Sequence, residues 1–317
     1  MTENSVTDNS WGGPAGRVSP RLAKNALRNW RERLIEGLLF CMAAVSVLTT
    51  LGIVYVLVKE SIIFFQHVRI VDFLTDTRWT PLFDDAHYGI LVLISGTLVS
   101  SAVALAVAIP VGTIIAIYLS EFATARVREV AKPILEVLGG IPTIVFGYFA
   151  LMVVTPLLQR VLPELPGFSL LSAGLVMGVM IVPYVSSLSE DAMRAVPMSL
   201  REGAYAMGST RLQVALKVVV PAATSGLAAS YILGISRAVG ETMIVAVAAG
   251  MQPNLTFNPM EPAATITSFI VQVALGDLPH GSIGYLTIFA AGLTLLLITL
   301  TLNVIGLWMR KKYREHY

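Results

Sequence analysis

Residues 202–221 read EGAYAMGSTRLQVALKVVVP, a polar half and an aliphatic half with Gly208 between them. A helix that begins near Ser199 carries Glu202 in its first turn, where an acid suits the positive end of the helix dipole. Gly208 interrupts that helix, Ser209 or Thr210 can cap the next one, and Pro221 opens a long apolar run. Upstream, Ser189-Glu190-Asp191-Ala192-Met193-Arg194 reads as another helix start with Ser189 as cap, and Pro197 should break it. The segment 189–217 is therefore expected to be a set of short helices joined at proline and glycine, lying across one face of an apolar body.

That the body is apolar follows from composition. Hydrophobic residues make up 55% of the 317 and charged residues 13%, about half the charged share of an ordinary soluble domain. The apolar residues come in runs long enough for a hydrocarbon core, which takes roughly 20 residues of helix. Six spans are expected: Leu34–Val58, Ile90–Leu119, Ile134–Leu158, Leu170–Leu188, Val218–Ala249 and Ile283–Trp308. The first is too long for a signal-peptide core and lacks a small-residue cleavage pattern, so it should stay as a membrane helix. The chain divides into a polar tail (1–33) disordered at its start, a first span with its outer loop (34–89), a core (90–308) and a basic tail (309–317).

Lysine and arginine orient these spans. The tail, the 120–133 turn, the 189–217 segment and the last residues hold 17 of the 22, which places both termini and the 189–217 segment in the cytoplasm. A net charge of +2 gives no reason to expect nucleic-acid binding. The outer loops carry Glu60, Asp72, Asp76, Asp84, Asp85, Glu164, Glu261 and Asp277, and an acidic outer face does not steer free anions inward. Cys41, the single cysteine, lies in the first span and reads as a small buried hydrophobe. His67, His87, His280 and His316 are dispersed without metal-ligand spacing.

One basic residue stands apart. Arg237 lies inside the fifth span, in ISRAVGETMIV (235–245), about 22 Å of helical rise from Ala222 and so near mid-membrane. A central charge costs on the order of 3 kcal/mol on insertion scales. Glu241 is four residues on, on the same face of a continuous helix, and can neutralise it. Two readings stay open: a structural ion pair that fixes packing, or a guanidinium that meets a tetrahedral oxyanion in two-point contact, with Glu241 holding it when the site is empty. Thr143, Ser186, Ser187 and Thr242 are hydroxyl candidates for the same path. Gly139, Gly140 and Pro142 should loosen the third span from within.

Periodicity alone leaves the 189–217 segment either a helix resting on lipid headgroups or a docking element. The spacing of Glu202, Ala204, Gly208, Val218, Val220 and Pro221 resembles the cytoplasmic motif of ABC importer permeases, with Gly203 in place of the usual first alanine. The resemblance implies a type I ABC importer permease fold and a coupling helix, built on Glu202, Gly203, Ala204 and Gly208, that seats in a separate ATPase subunit. The chain has no G-x-x-x-x-G-K-[ST] loop, so ATP and Mg are expected on the paired ATPases.

SRAVGETMIV (236–245) further resembles phosphate importer permeases of the PstC type. Thr77-Arg78-Trp79-Thr80-Pro81 with Tyr88-Gly89, Ile109-Pro110-Val111-Gly112, Tyr118-Leu119-Ser120-Glu121 and Gly140-Ile141-Pro142-Thr143 support this from residue 72 onward. It implies a multi-pass protein of the bacterial plasma membrane, a second permease of the PstA type, an extracytoplasmic phosphate-binding protein, and Arg237, Glu241, Thr242 and Thr143 on the substrate path. Another oxyanion such as sulfate or molybdate, an ion-coupled carrier or channel, and a scaffold without transport stay open on the residues alone.

Overall fold

The computed structural model describes residues 26–312 apart from 82 and 84. Most of the expected N-terminal tail (1–25) and the end of the basic tail (313–317) lie outside the described residues. The described chain is helical, and two compact units divide it after Val56.

The first unit contains most of α1 (Ala26–His67). Its apolar side chains, among them Leu38, Phe40, Leu48 and Leu51, are exposed. Such a helix is stable only in a solvent as apolar as itself. Cys41 is exposed as well, which corrects the expectation of a buried thiol: it sits on a helix with no protein layer over it within this unit.

In the second unit, α2 (Ile70–Thr75) leads to α3 (Leu91–Phe122), α4 (Ala125–Gly139), α5 (Thr143–Val161) and α6 (Leu170–Arg194). Next come α7 (Met198–Ala206), α8 (Arg211–Ala222), α9 (Thr224–Val239), α10 (Met243–Ala248), α11 (Ile266–Gln272) and α12 (Ile283–Lys312). Among the described residues, five helices, α1 included, are long and apolar enough to cross a membrane, and α8 with α9 makes a sixth when the bent pair counts as one span. The centre is α6 packed on α3. Gly174 and Gly178, one turn apart, allow the approach: a Cβ would lie 2.7 Å from Val103 Cβ at the first and 2.8 Å from the Ala104 carbonyl oxygen at the second.

Three expected boundaries move. The third span is Thr143–Val161, not Ile134–Leu158, because Pro142 lacks the N–H that would continue the helical ladder. The preceding α4 is a separate helix whose Thr124 caps it and which buries none of its residues. Gly139, Gly140 and Pro142 thus mark a break before the span, not a weak point within it. The fifth span is not one helix: α8 and α9 meet at 74°, and Gly240 ends α9 before Glu241. Pro221 removes an N–H at the bend, and the Thr224 hydroxyl takes up the Pro221 carbonyl at 2.6 Å. Finally, Ser189 does not cap a new helix, for α6 runs on without interruption to Arg194. The change from apolar to polar residues there marks where the surroundings change, not where the backbone bonds stop.

Candidate functional site

Arg237 is near the end of α9, thirteen residues from Thr224, or about 20 Å of helical rise. No ion pair joins it to Glu241 among the described residues. With the helix ended at Gly240, Glu241 turns to the next one: its Oε1 accepts from the backbone N–H groups of Met243 and Ile244 at 3.1 and 3.3 Å. Its carbonyl accepts from the Thr267 hydroxyl at 2.6 Å, so α11 holds it from the other side. The neutralising pair expected from i,i+4 spacing needs a continuous helix, and the chain breaks between the two residues.

The guanidinium finds its neighbours on α6 instead. Its Cζ sits 4.3 Å from the centroid of the Tyr184 ring, and its Nη2 lies 4.0 Å from Met180 Sδ, one turn earlier. A desolvated cation–π contact is worth about 2 kcal/mol, less than the on-the-order-of-3 kcal/mol cost of a mid-membrane arginine. Its Nε is buried and has no hydrogen-bond partner. A planar donor edge in an apolar body, with no carboxylate on it, is suited to receive an oxyanion.

Tyr184 also donates a hydrogen bond to the Gly139 carbonyl at 3.0 Å, which ties α6 to the last turn of α4. A cavity of about 400 Å³ opens beside this bond, lined by Glu136, Gly139, Gly140, Tyr184 and Ser187. Ser187 thus faces space. Ser186 is buried and its hydroxyl donates to the Pro183 carbonyl, which is helix packing. Thr143 starts α5 at the break, and the Thr242 hydroxyl turns back to the Gly240 carbonyl at 3.4 Å. No hydrogen bond joins either to Arg237.

Beyond the C-terminal end of α6, the segment expected to dock has a defined shape. Helix α7 ends in a Schellman motif: Gly208 stands at φ +83°, its N–H donates to the Tyr205 carbonyl at 2.9 Å, and the Ser209 N–H donates to the Ala204 carbonyl at 3.1 Å. Thr210 then caps α8 through a reciprocal pair with Gln213. Glu202, Gly203 and Gly208 are exposed, whereas Ala204 is half-buried against the apolar cluster that includes Met193, Val196 and Val214. Met207, at the turn, is 87% exposed.

What orients this pair is Arg201, which sequence reasoning placed only among the orienting charges. It is buried, donates to the carbonyls of Met193 in the last turn of α6 and of Val196 just beyond it, and grips Glu121 at the end of α3 at 3.0 and 3.3 Å. A second tether joins α4 to α6, where Lys132 meets Glu190 at 2.9 Å and Asp191 at 2.6 Å. Lysines and arginines at a membrane edge are abundant, so nothing in the sequence sets these two apart. Tyr184 had a weak local mark, a hydroxyl-bearing aromatic after Pro183 in an apolar run.

Residues 108–315 match the family described as binding-protein-dependent transport system inner membrane component. The chain is 37% identical over 229 residues to the "Probable ABC transporter permease protein YqgH" of Bacillus subtilis, covering 72% of this chain and 74% of the relative. It is 32% identical over 259 residues to the "Phosphate transport system permease protein PstC" of Mesorhizobium japonicum, covering 75% and 77%. In fold it is similar to a chain from the crystal structure of a bacterial ABC transporter involved in the import of the acidic polysaccharide alginate. There the TM-score is 0.61 and the identity 17%, over 91% of this chain and all of the other.

Proposed function

Because the chain belongs to the family of binding-protein-dependent transport system inner membrane components, we propose that it is the permease subunit of an ATP-driven importer of inorganic phosphate. The observation that carries the substrate class is Arg237, a guanidinium in the apolar interior with a buried, unpartnered Nε and, among the described residues, no carboxylate in ion-pair reach. The relatives named PstC support phosphate as the anion. Both termini face the cytoplasm of a bacterium, and so do α7 and the start of α8, in keeping with the basic residues gathered there.

This reading carries a set of partners with it. A second permease of the PstA type completes the path, and an extracytoplasmic binding protein delivers phosphate to an acidic outer face that would not attract it freely. A pair of ATPases carries ATP and Mg and holds Glu202, Gly203 and Met207 in a groove. When ATP closes the pair, α7 moves and Arg201 transmits the motion to the ends of α3 and α6. The path alternates between outward-open and inward-open forms around Arg237.

The test is uptake into proteoliposomes that contain the purified complex. ATP and the binding protein should both be required, and excess sulfate or molybdate should not compete. Arg237→Lys keeps the charge but loses the fork; the complex should assemble while uptake falls by about tenfold, equivalent to ~1.4 kcal/mol. Wild-type uptake in that variant would end the role given to Arg237.

A further inference from the structure

We propose that Tyr184 is the inner gate of the path and the positioning residue for Arg237, closing the space between the guanidinium and the cavity beside α4. The proposal rests on the transport reading above for its direction, and on geometry for the gate itself. Three observations meet at this one side chain. Its ring covers Arg237 at 4.3 Å. Its hydroxyl closes onto the Gly139 carbonyl at 3.0 Å, at the point where α4 ends and the chain breaks before Pro142. Beyond it lies the cavity of about 400 Å³, whose lining continues one turn along α6 to Ser187 and Leu188, on the side of Arg194.

The ring and its bond to Gly139 therefore stand between a buried cation and an open cavity. On one side is Arg237 with its unpartnered Nε, beside the fully buried Met180. On the other is an open cavity with Glu136 on its rim. An anion on the guanidinium competes with the ring for the same cation, and charge-assisted hydrogen bonds are stronger than a cation–π contact. Arrival of the anion should thus release Tyr184 from Arg237. A shift of α4 away from α6 would break the bond to Gly139, and the side chain could then rotate out of the opening.

The gate can be read without moving phosphate. In a Cys41→Ser background, Met180→Cys places a thiol on the Arg237 side and Ser187→Cys places one in the cavity, and a membrane-impermeant thiol reagent is applied from the cytoplasmic side to the assembled complex. The Ser187→Cys thiol should react readily whatever stands at position 184. The Met180→Cys thiol should react slowly beside Tyr184, several-fold faster with Tyr184→Phe, which keeps the ring and loses the hydroxyl, and at least an order of magnitude faster with Tyr184→Ala. Equal rates at Met180→Cys for tyrosine, phenylalanine and alanine would overturn the gate; if the alanine variant does not assemble, the phenylalanine comparison decides. Passive efflux of phosphate from loaded proteoliposomes is the second measurement. Faster labelling without faster phosphate efflux would leave the gate standing and remove phosphate as the cargo.

Discussion

Arg201 and Glu121, 80 residues apart in sequence, form a buried pair with two contacts, Nη2 to Oε1 at 3.0 Å and Nε to Oε2 at 3.3 Å. Arg201 also closes the end of α6 by donating to the carbonyls of Met193 in its last turn and of Val196 just beyond it. One side chain thereby joins the exposed helix α7 to the ends of both central helices. Removing one member of a buried pair typically costs about 3–5 kcal/mol because the other charge is left without a partner. Arg201→Met should lower the thermal midpoint of the complex and reduce ATP-driven uptake more than ATP hydrolysis. The double variant Arg201→Met, Glu121→Met should be less destabilised than the sum of the two single changes. Additive losses would mean that the pair does not act as a unit.

Two glycines of the segment after α6 should respond in opposite ways to the same change. Gly208 holds φ +83°, where a side chain costs roughly 1–2 kcal/mol. Gly203 lies within α7 with no atom within 4 Å of where a Cβ would stand. Gly203→Ala should add about 0.5–1 kcal/mol to helix stability. Gly208→Ala should lower both stability and uptake. Thermal unfolding of each variant, followed by an uptake assay, checks the pair.

Glu190 is fully buried, near the end of α6, between Lys132 at 2.9 Å and Arg194 at 3.4 Å. Lys132→Met takes away the nearer cation and should destabilise by about 3 kcal/mol. Adding Glu190→Gln to that variant removes the stranded charge and should restore part of the loss. A thermal midpoint that falls further in the double variant would refute the tether.

The segment between α2 and α3 carries a pH-dependent link. The hydrogen bond from His87 Nδ1 to Asp76 Oδ2, 2.7 Å long, raises the His87 pKa above 6.5 against an opposing effect of burial, and attraction to Asp76 and Asp85 adds to it. Burial pushes the Asp76 carboxyl up, but the bond to His87 and the backbone N–H of Arg78 outweigh it, and its pKa is lowered from 3.8. The histidine's stabilisation is fully present below pH 6.5 and is lost as pH rises through its raised folded value; the carboxylate's is present above pH 3.8 and is lost as pH falls through its lowered one. Amide exchange near Trp79 and Tyr88 should accelerate as pH increases beyond 6.5, once corrected for intrinsic rates. His87→Gln should flatten that dependence.

Much of this architecture is legible in the sequence because it depends on neighbours along the chain. Gly208 reads as a helix end since only glycine accepts its φ cheaply, and Thr210 reads as a cap since its hydroxyl needs only the backbone three residues on. The hydrocarbon runs show the spans, though not their ends. Pro142, Pro221 and Gly240 place those ends, and hydropathy is indifferent to a break that keeps the apolar character of the run.

What the sequence by itself determined was a multi-span helical body with a pair of short polar helices and a lone arginine in its interior, because hydrophobic length, charge placement and local capping are properties of short stretches. Only the tertiary structure decided what that arginine faces. Glu241 is four residues away in sequence but belongs to the next helix, whereas Tyr184 is 53 positions earlier and lies against the guanidinium. A buried charge finds its partner across the packing of helices, and that packing is set by breaks and close approaches whose effects reach far beyond their own segment.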